Sequence, residues 1–173
     1  MGGLPLRVVT VEIRDAREDE HAEAGRVTAL AYLEFIRPGD GDWREYAERI
    51  ADVAGRAERT TVLVAVEEGR ILGTATLELD GRVEAEDGPL EPHRAEIRML
   101  GVDPKTRGQG IAKLLMAECE DRARAAGKTL MTLNTTERMR VAQLMYESLG
   151  YERGEDRVFP DGFVLLSYSK SLA

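Results

Sequence analysis

The residues best suited to chemistry in this 173-residue chain form one short run, Arg107-Gly108-Gln109-Gly110-Ile111-Ala112, between a predicted strand and a predicted amphipathic helix. The first turn of a helix carries four N–H groups with no internal partner, and the macrodipole adds partial positive charge there. Such an end binds phosphate when the phosphate can come close to the backbone. Gly108 and Gly110 place no side chain in the way, Ala112 only a methyl, and Arg107 adds a cation able to fork onto phosphate oxygens. From Lys105 to Arg140 eight basic residues stand against four acidic ones, within a chain of net charge −8. This basic island coincides with the expected phosphate cradle. Two other nucleotide motifs fail. A dinucleotide fingerprint needs a glycine where Lys113 stands. Gly127-Lys128-Thr129 ends like a P-loop, but Arg122 takes the place of its first glycine and the run follows a helix.

The elements around this turn are readable from period and punctuation. Val8–Arg14 reads as a strand, Ala22–Ile36 as a helix, and Arg37–Asp42 as a firm break. Asp42 is placed to cap a second helix to about Arg59, with Trp43 and Tyr46 expected to pack on the sheet alongside Ile50 and Val53. Thr61–Val66 and Ile71–Leu79 read as a hairpin turning at Glu67–Arg70, and Asp80–Arg94 as an acidic loop. Glu96–Val102 is a strand. Its alternation puts Glu96, Arg98 and Leu100 on one face and Ala95, Ile97 and Met99 on the other. A helix over Gly108–Ala126, a strand at Leu130–Thr135, a helix at Arg138–Leu149 and two strands flanking Pro160-Asp161-Gly162 complete the chain. The alternation of strands and helices predicts a three-layer α/β domain with a mixed sheet.

Composition narrows the function. Hydrophobic residues at 43% and charged residues at 32% fit a globular domain. The acidic balance argues against nucleic acid and anionic membranes as partners. Cys119 is the only cysteine and His21 and His93 the only histidines, so a His/Cys metal site is not expected and a reducing, cytoplasmic setting is. Met1–Val11 lacks a signal-peptide core, and no stretch approaches the roughly 18 apolar residues of a membrane span.

With these residues in view, Val102-Asp103-Pro104 leading into Arg107–Ala112 resembles the acetyl-CoA-binding signature of the GCN5-related N-acetyltransferase (GNAT) superfamily, Arg/Gln-x-x-Gly-x-Gly/Ala, matched at Arg107, Gly110 and Ala112. Ala142–Tyr151 (AQLMYESLGY) resembles that family's second landmark at the usual separation. The resemblance implies one domain over residues 1–173 with a mostly antiparallel sheet, helices on both faces, and fourth and fifth strands that splay apart. Acetyl-CoA is the implied co-substrate in that gap. Backbone near Leu100 and Val102 is expected to pair with its pantetheine arm, and amides of Gly108, Gln109, Gly110, Ile111, Ala112 and Lys113 to hold its pyrophosphate. Met139 stands where the family often has asparagine, so that contact is missing or supplied by another group such as Asn134.

The implied reaction moves an acetyl group to a primary amine. Such an amine is mostly protonated near neutrality, so a base is needed, and the departing thiolate gains from an acid. By resemblance Glu96 is the base and Tyr146 the acid. Cys119 lies in a helical core stripe and no residue looks like an activated nucleophile, which favours direct attack. The acceptor is a small-molecule or peptide amine. Asparagine at 134, where enzymes acting on peptide N-termini often have glutamate, weighs against that class. The variable segments 38–59 and 80–94 are expected to form the acceptor pocket, and the acids of Glu84–Glu91 are one means of attracting a cation. A homodimer is compatible with the resemblance. The rival reading is a regulatory module of the same fold that binds acyl-CoA without catalysing.

Overall fold

A computed structural model describes residues 10–37 and 39–173. The chain runs β1 (Glu12–Asp15), α1 (His21–Leu33), α2 (Trp43–Ala51), α3 (Val53–Ala57), β2 (Thr61–Glu67), β3 (Arg70–Glu78), β4 (Arg94–Val102), α4 (Ile111–Ala125), β5 (Leu130–Thr135), α5 (Arg140–Ser148), β6 (Glu152–Arg153), β7 (Arg157–Val158) and β8 (Val164–Ser171). The expected first strand begins at residues 8 and 9 and the expected break includes Pro38, all of which lie outside the described residues.

The strands form a mixed sheet in the order β1-β2-β3-β4-β5-β8-β6, with β7 also on β8. All its pairs are antiparallel except β4 with β5. The β2–β3 hairpin turns through Glu68 at φ 48° and Gly69 at φ 78°, the two positive dihedrals of a two-residue turn whose twist matches the strands. Apolar side chains cover both faces. One core joins Leu63, Leu77, Ile97 and Met131 to Ile111, Leu115 and Cys119 of α4, and the other joins Val62, Val64 and Ile71 to Ala24 and Val27 of α1 and Val53 of α3.

Three expectations need correction. The second helix is not continuous to residue 59. Asp52, at ψ 73°, leaves the helical region and its Oδ1 accepts from Gly55 N at 2.9 Å, so one aspartate ends α2 and caps α3. Nor do Trp43 and Tyr46 pack on the sheet, being 45% and 39% exposed, while Ile50 and Val53 are buried. The alternation of β4 also fails midway. Arg98 pairs with Thr76 but Gly101 with Thr74, so an extra residue is held on β4, and Met99 takes it up at φ 51°. Beyond this bulge Gly101 faces α1, where a Cβ would meet Ala31 Cβ at 2.9 Å. Leu100 consequently joins the α4 core instead of the Glu96 face.

Candidate active site

Two features make the cofactor half. β4 and β5 are paired from Arg94↔Leu130 only as far as Ile97↔Leu133, after which β5 continues on β8 alone. The last part of β4, which holds Leu100 and Val102, therefore leaves its edge open to another extended chain. The strand then passes through Asp103, whose N–H donates to Leu72 O at 2.8 Å and whose Oδ1 accepts from Lys105 N at 2.9 Å, into the glycine turn. Gly108 and Gly110 take φ 79° and 78°, conformations that disfavour any residue with a Cβ. A Cβ built on either meets nothing within 4 Å, so the turn faces open space.

Gly110 is the N-cap of α4 and no side chain caps this end, which begins three residues later than the sequence reading. The Ile111 side chain is buried, Ala112 is half-buried, and Gln109 and Lys113 are exposed. The amides of the first turn of α4 have no intrahelical acceptor. This arrangement suits a pyrophosphate approached by a pantetheine arm lying in the β4–β5 gap. The Arg107 guanidinium lies elsewhere: it bonds Ala31 O at 3.2 Å and Glu34 at the end of α1. Arg138, in the β5–α5 connection, similarly reaches Phe35 O at 3.0 Å and Asp40. The segment after α1 is thus held from both sides of the gap.

Glu96 lies on the opposite sheet face from α4, 3% exposed. Its Oε1 accepts from Asn134 Nδ2 at 2.9 Å, and its Oε2 from Arg82 at 3.2 Å and Arg94 at 3.3 Å. Across the strand pair stands Glu78, fully buried, accepting from Arg82 Nε at 2.9 Å and Val83 N at 2.6 Å. Burial pushes the Glu96 carboxyl above its ordinary value. Arg94, Arg82 and Arg98 oppose that shift and Glu78 adds to it. Asn134 therefore has its donor on Glu96, while the Met139 sulfur accepts from Thr135 Oγ1 at 3.4 Å.

Tyr146 is buried on α5 between Tyr151 and Tyr168, with ring centroids 6.1 and 5.9 Å away. Among the described residues none hydrogen-bonds its hydroxyl. Burial first, then Tyr168, raises its pKa and keeps the phenol protonated. Tyr32 of α1, which the sequence reading passed over, has its phenol raised by burial first, with Tyr146 and Tyr46 adding to the shift and Arg56 and Arg98 opposing it. Its place in α1 carries no pattern beyond an ordinary helical aromatic. Three of the four acids of the 84–91 loop are paired, and Glu86 is exposed. Glu84 meets Arg49 at 3.7 Å, Asp87 meets Arg98 at 3.2 Å and Glu91 meets Arg94 at 3.4 Å.

Comparison with known proteins gives a consistent result. Residues 21–151 match the model of the acetyltransferase (GNAT) family. A GNAT-family acetyltransferase of Staphylococcus aureus Mu50 superposes with a TM-score of 0.71 at 17% identity, over 95% of this chain and 100% of that one. YncA of Salmonella typhimurium, solved with its cofactor acetyl-CoA, gives 0.70 at 21% identity over 95% of each chain. The ribosomal-protein-S18-alanine N-acetyltransferase of Escherichia coli gives 0.68 at 16%, again over 95% of each. At these identities the structural likeness concerns the fold.

Proposed function

Because the chain belongs to the acetyltransferase (GNAT) family, with acetyl-CoA as its co-substrate, we propose that it N-acetylates a small-molecule or peptide primary amine by direct attack. The observation that carries this reading is the parting of β4 from β5 beyond Ile97, ahead of a glycine turn that opens on free space at Gly108 and Gly110. The β4 edge at Leu100 and Val102 receives the pantetheine arm, and the amides of residues 108–113 receive the pyrophosphate. Bound there, the thioester supplies an activated acetyl group.

Glu96 takes the proton of the ammonium, directly or through water, with a carboxyl that burial has moved toward the working range. The amine nitrogen then forms its bond to the acetyl carbon as the carbon–sulfur bond breaks. Tyr146, held protonated, donates to the leaving sulfur, and the second proton, lost by the acylated nitrogen, restores the phenol. Asn134 and the two arginines hold Glu96 in one rotamer. Arg107 keeps the end of α1 beside the cradle.

The test is calorimetry with acetyl-CoA followed by thiol release across a panel of primary amines. Saturable binding together with amine-dependent release is expected. Binding with no release for any amine would favour the acyl-CoA-binding module, and no binding at all would remove the reading.

A further inference from the structure

We propose that Arg56 and Arg98 form an anion-receiving subsite, so that the acceptor is an amine that also bears a carboxylate, the amino-acid class. This rests on the acetyl-transfer reading and names its acceptor. Arg56 is only 3% exposed, yet no described carboxylate lies within ion-pair distance of it. Its Nε donates to Thr76 Oγ1 at 3.1 Å and its Nη1 to Ile50 O at 2.7 Å and Arg49 O at 3.4 Å, all neutral acceptors. Its Nη2 is buried with no partner among the described residues. Asp52, the acid that acts on it most strongly, uses Oδ1 to cap α3. The carbonyls at the end of α2 offset part of the charge. A buried guanidinium still missing an acceptor remains an uncommon burden for a fold, and a bound anion relieves it.

The second cation is adjacent. Thr76, which receives the Arg56 Nε, is the cross-strand partner of Arg98. Arg98 is held loosely, at 3.2 Å by the exposed Asp87 and at 3.5 Å by Glu78, whose firmer bonds go to Arg82 and Val83. The Arg98 backbone thus stands opposite the threonine that Arg56 bonds, and its charge weighs against that of Arg56. Glu96 and Arg98 share a face of β4 two residues apart, about 7 Å along the strand. One small acceptor reaches the base with its amine and Arg98 with its carboxylate, while Arg56 adds its charge from beneath.

The experiment compares standard L-amino acids with their carboxamides in the thiol-release assay, on the native enzyme and on Arg98→Gln, whose side chain is partly exposed. Amino acids are expected to exceed their carboxamides by about tenfold or more in kcat/KM, since a site built for a polar group rejects the analogue lacking it. Arg98→Gln should remove that preference by raising KM for the amino acid while KM for acetyl-CoA holds. Carboxamides or diamines turned over as well as the amino acids would overturn the subsite and leave acetyl transfer standing. So would an Arg98→Gln effect equal on acid and amide. If no amine releases thiol, the transfer reading fails instead, and calorimetry of amino acid against carboxamide on the coenzyme A complex decides the subsite: selective binding of the acid upholds it, equal or absent binding overturns it.

Discussion

Tyr146→Phe separates catalysis from folding. The ring stays between Tyr151 and Tyr168, so the aromatic contacts at 6.1 and 5.9 Å survive. No described group loses a hydrogen bond, so stability should move by less than about 1 kcal/mol. The catalytic loss follows from the leaving group. A thiolate departs with an ordinary pKa of about 8.5, so it needs less help than an alkoxide, and the acid's contribution belongs near the lower end of the general range, about 100-fold. That corresponds to about 2.7 kcal/mol. Burial raises the phenol, and the same dry surroundings raise the thiol, so the proton remains shareable between them. The assay is thiol release at saturating acceptor, with acetyl-CoA affinity by calorimetry and Tm by thermal unfolding. The expected pattern is kcat down about 100-fold with Kd and Tm nearly constant. A kcat within about twofold of native would refute the role, and a parallel collapse of Tm would show that the residue acts through packing.

Glu96→Gln should lower kcat/KM by about 100-fold or more. In the native enzyme activity should rise with pH through a group above the ordinary carboxylate value, because the base works deprotonated and burial raises it; an unchanged acidic limb in the variant assigns that limb to another group. Gly110→Val forces a β-branched residue to φ 78° at a cost of about 1–2 kcal/mol and places its side chain in the open cradle. Acetyl-CoA binding should disappear from calorimetry while the protein stays folded, and retained affinity would count against the cradle. Arg14 holds Glu20 down at about 2 through paired bonds of 2.8 and 2.7 Å. Its stabilisation is therefore present above about pH 4.5 and lost as pH falls toward 2. Glu20→Gln should cost about 1–2 kcal/mol at pH 7 in denaturant titration, a difference that closes at low pH; a constant difference would refute the linkage.

The cofactor half was legible because its information is local. A strand, Asp103-Pro104, two glycines and an amphipathic helix follow one another within a few turns of chain, and each residue type answers a backbone requirement at its own position. The Gly108 and Gly110 dihedrals are what those glycines were needed for. The splayed strands came from the family resemblance, which no periodicity supplies. The bulge was illegible because Met99 is a residue type that seldom takes φ 51°; only the register imposed by β3 forces it there, and it shifts Leu100 to the other face. The break at Asp52 was hidden for a different reason. The apolar stripe continues through Ile50 and Val53 although the helix does not, and an aspartate inside such a stripe reads as solvent-facing until its carboxylate is seen capping Gly55.

The acceptor half follows neither rule, because its contacts join residues far apart in sequence. Arg56 meets Thr76, Arg82 meets Glu96, and Asn134 meets Glu96, contacts that join α3, β3, β4, β5 and the loop after β3. Whole-chain charge is a poor guide there. A net charge of −8 and an acidic stretch at 84–91 point to an anionic surface around the acceptor. In the folded chain Glu84, Asp87 and Glu91 are met by Arg49, Arg98 and Arg94, while Arg56 keeps a charge that no described carboxylate balances. The sign of a site is set by which charges remain after pairing, not by which are most numerous in the stretch that borders it. By that measure an acidic protein can keep a cation near its substrate, and the proposed subsite rests on Arg56, with Arg98 only loosely held by Asp87 and Glu78.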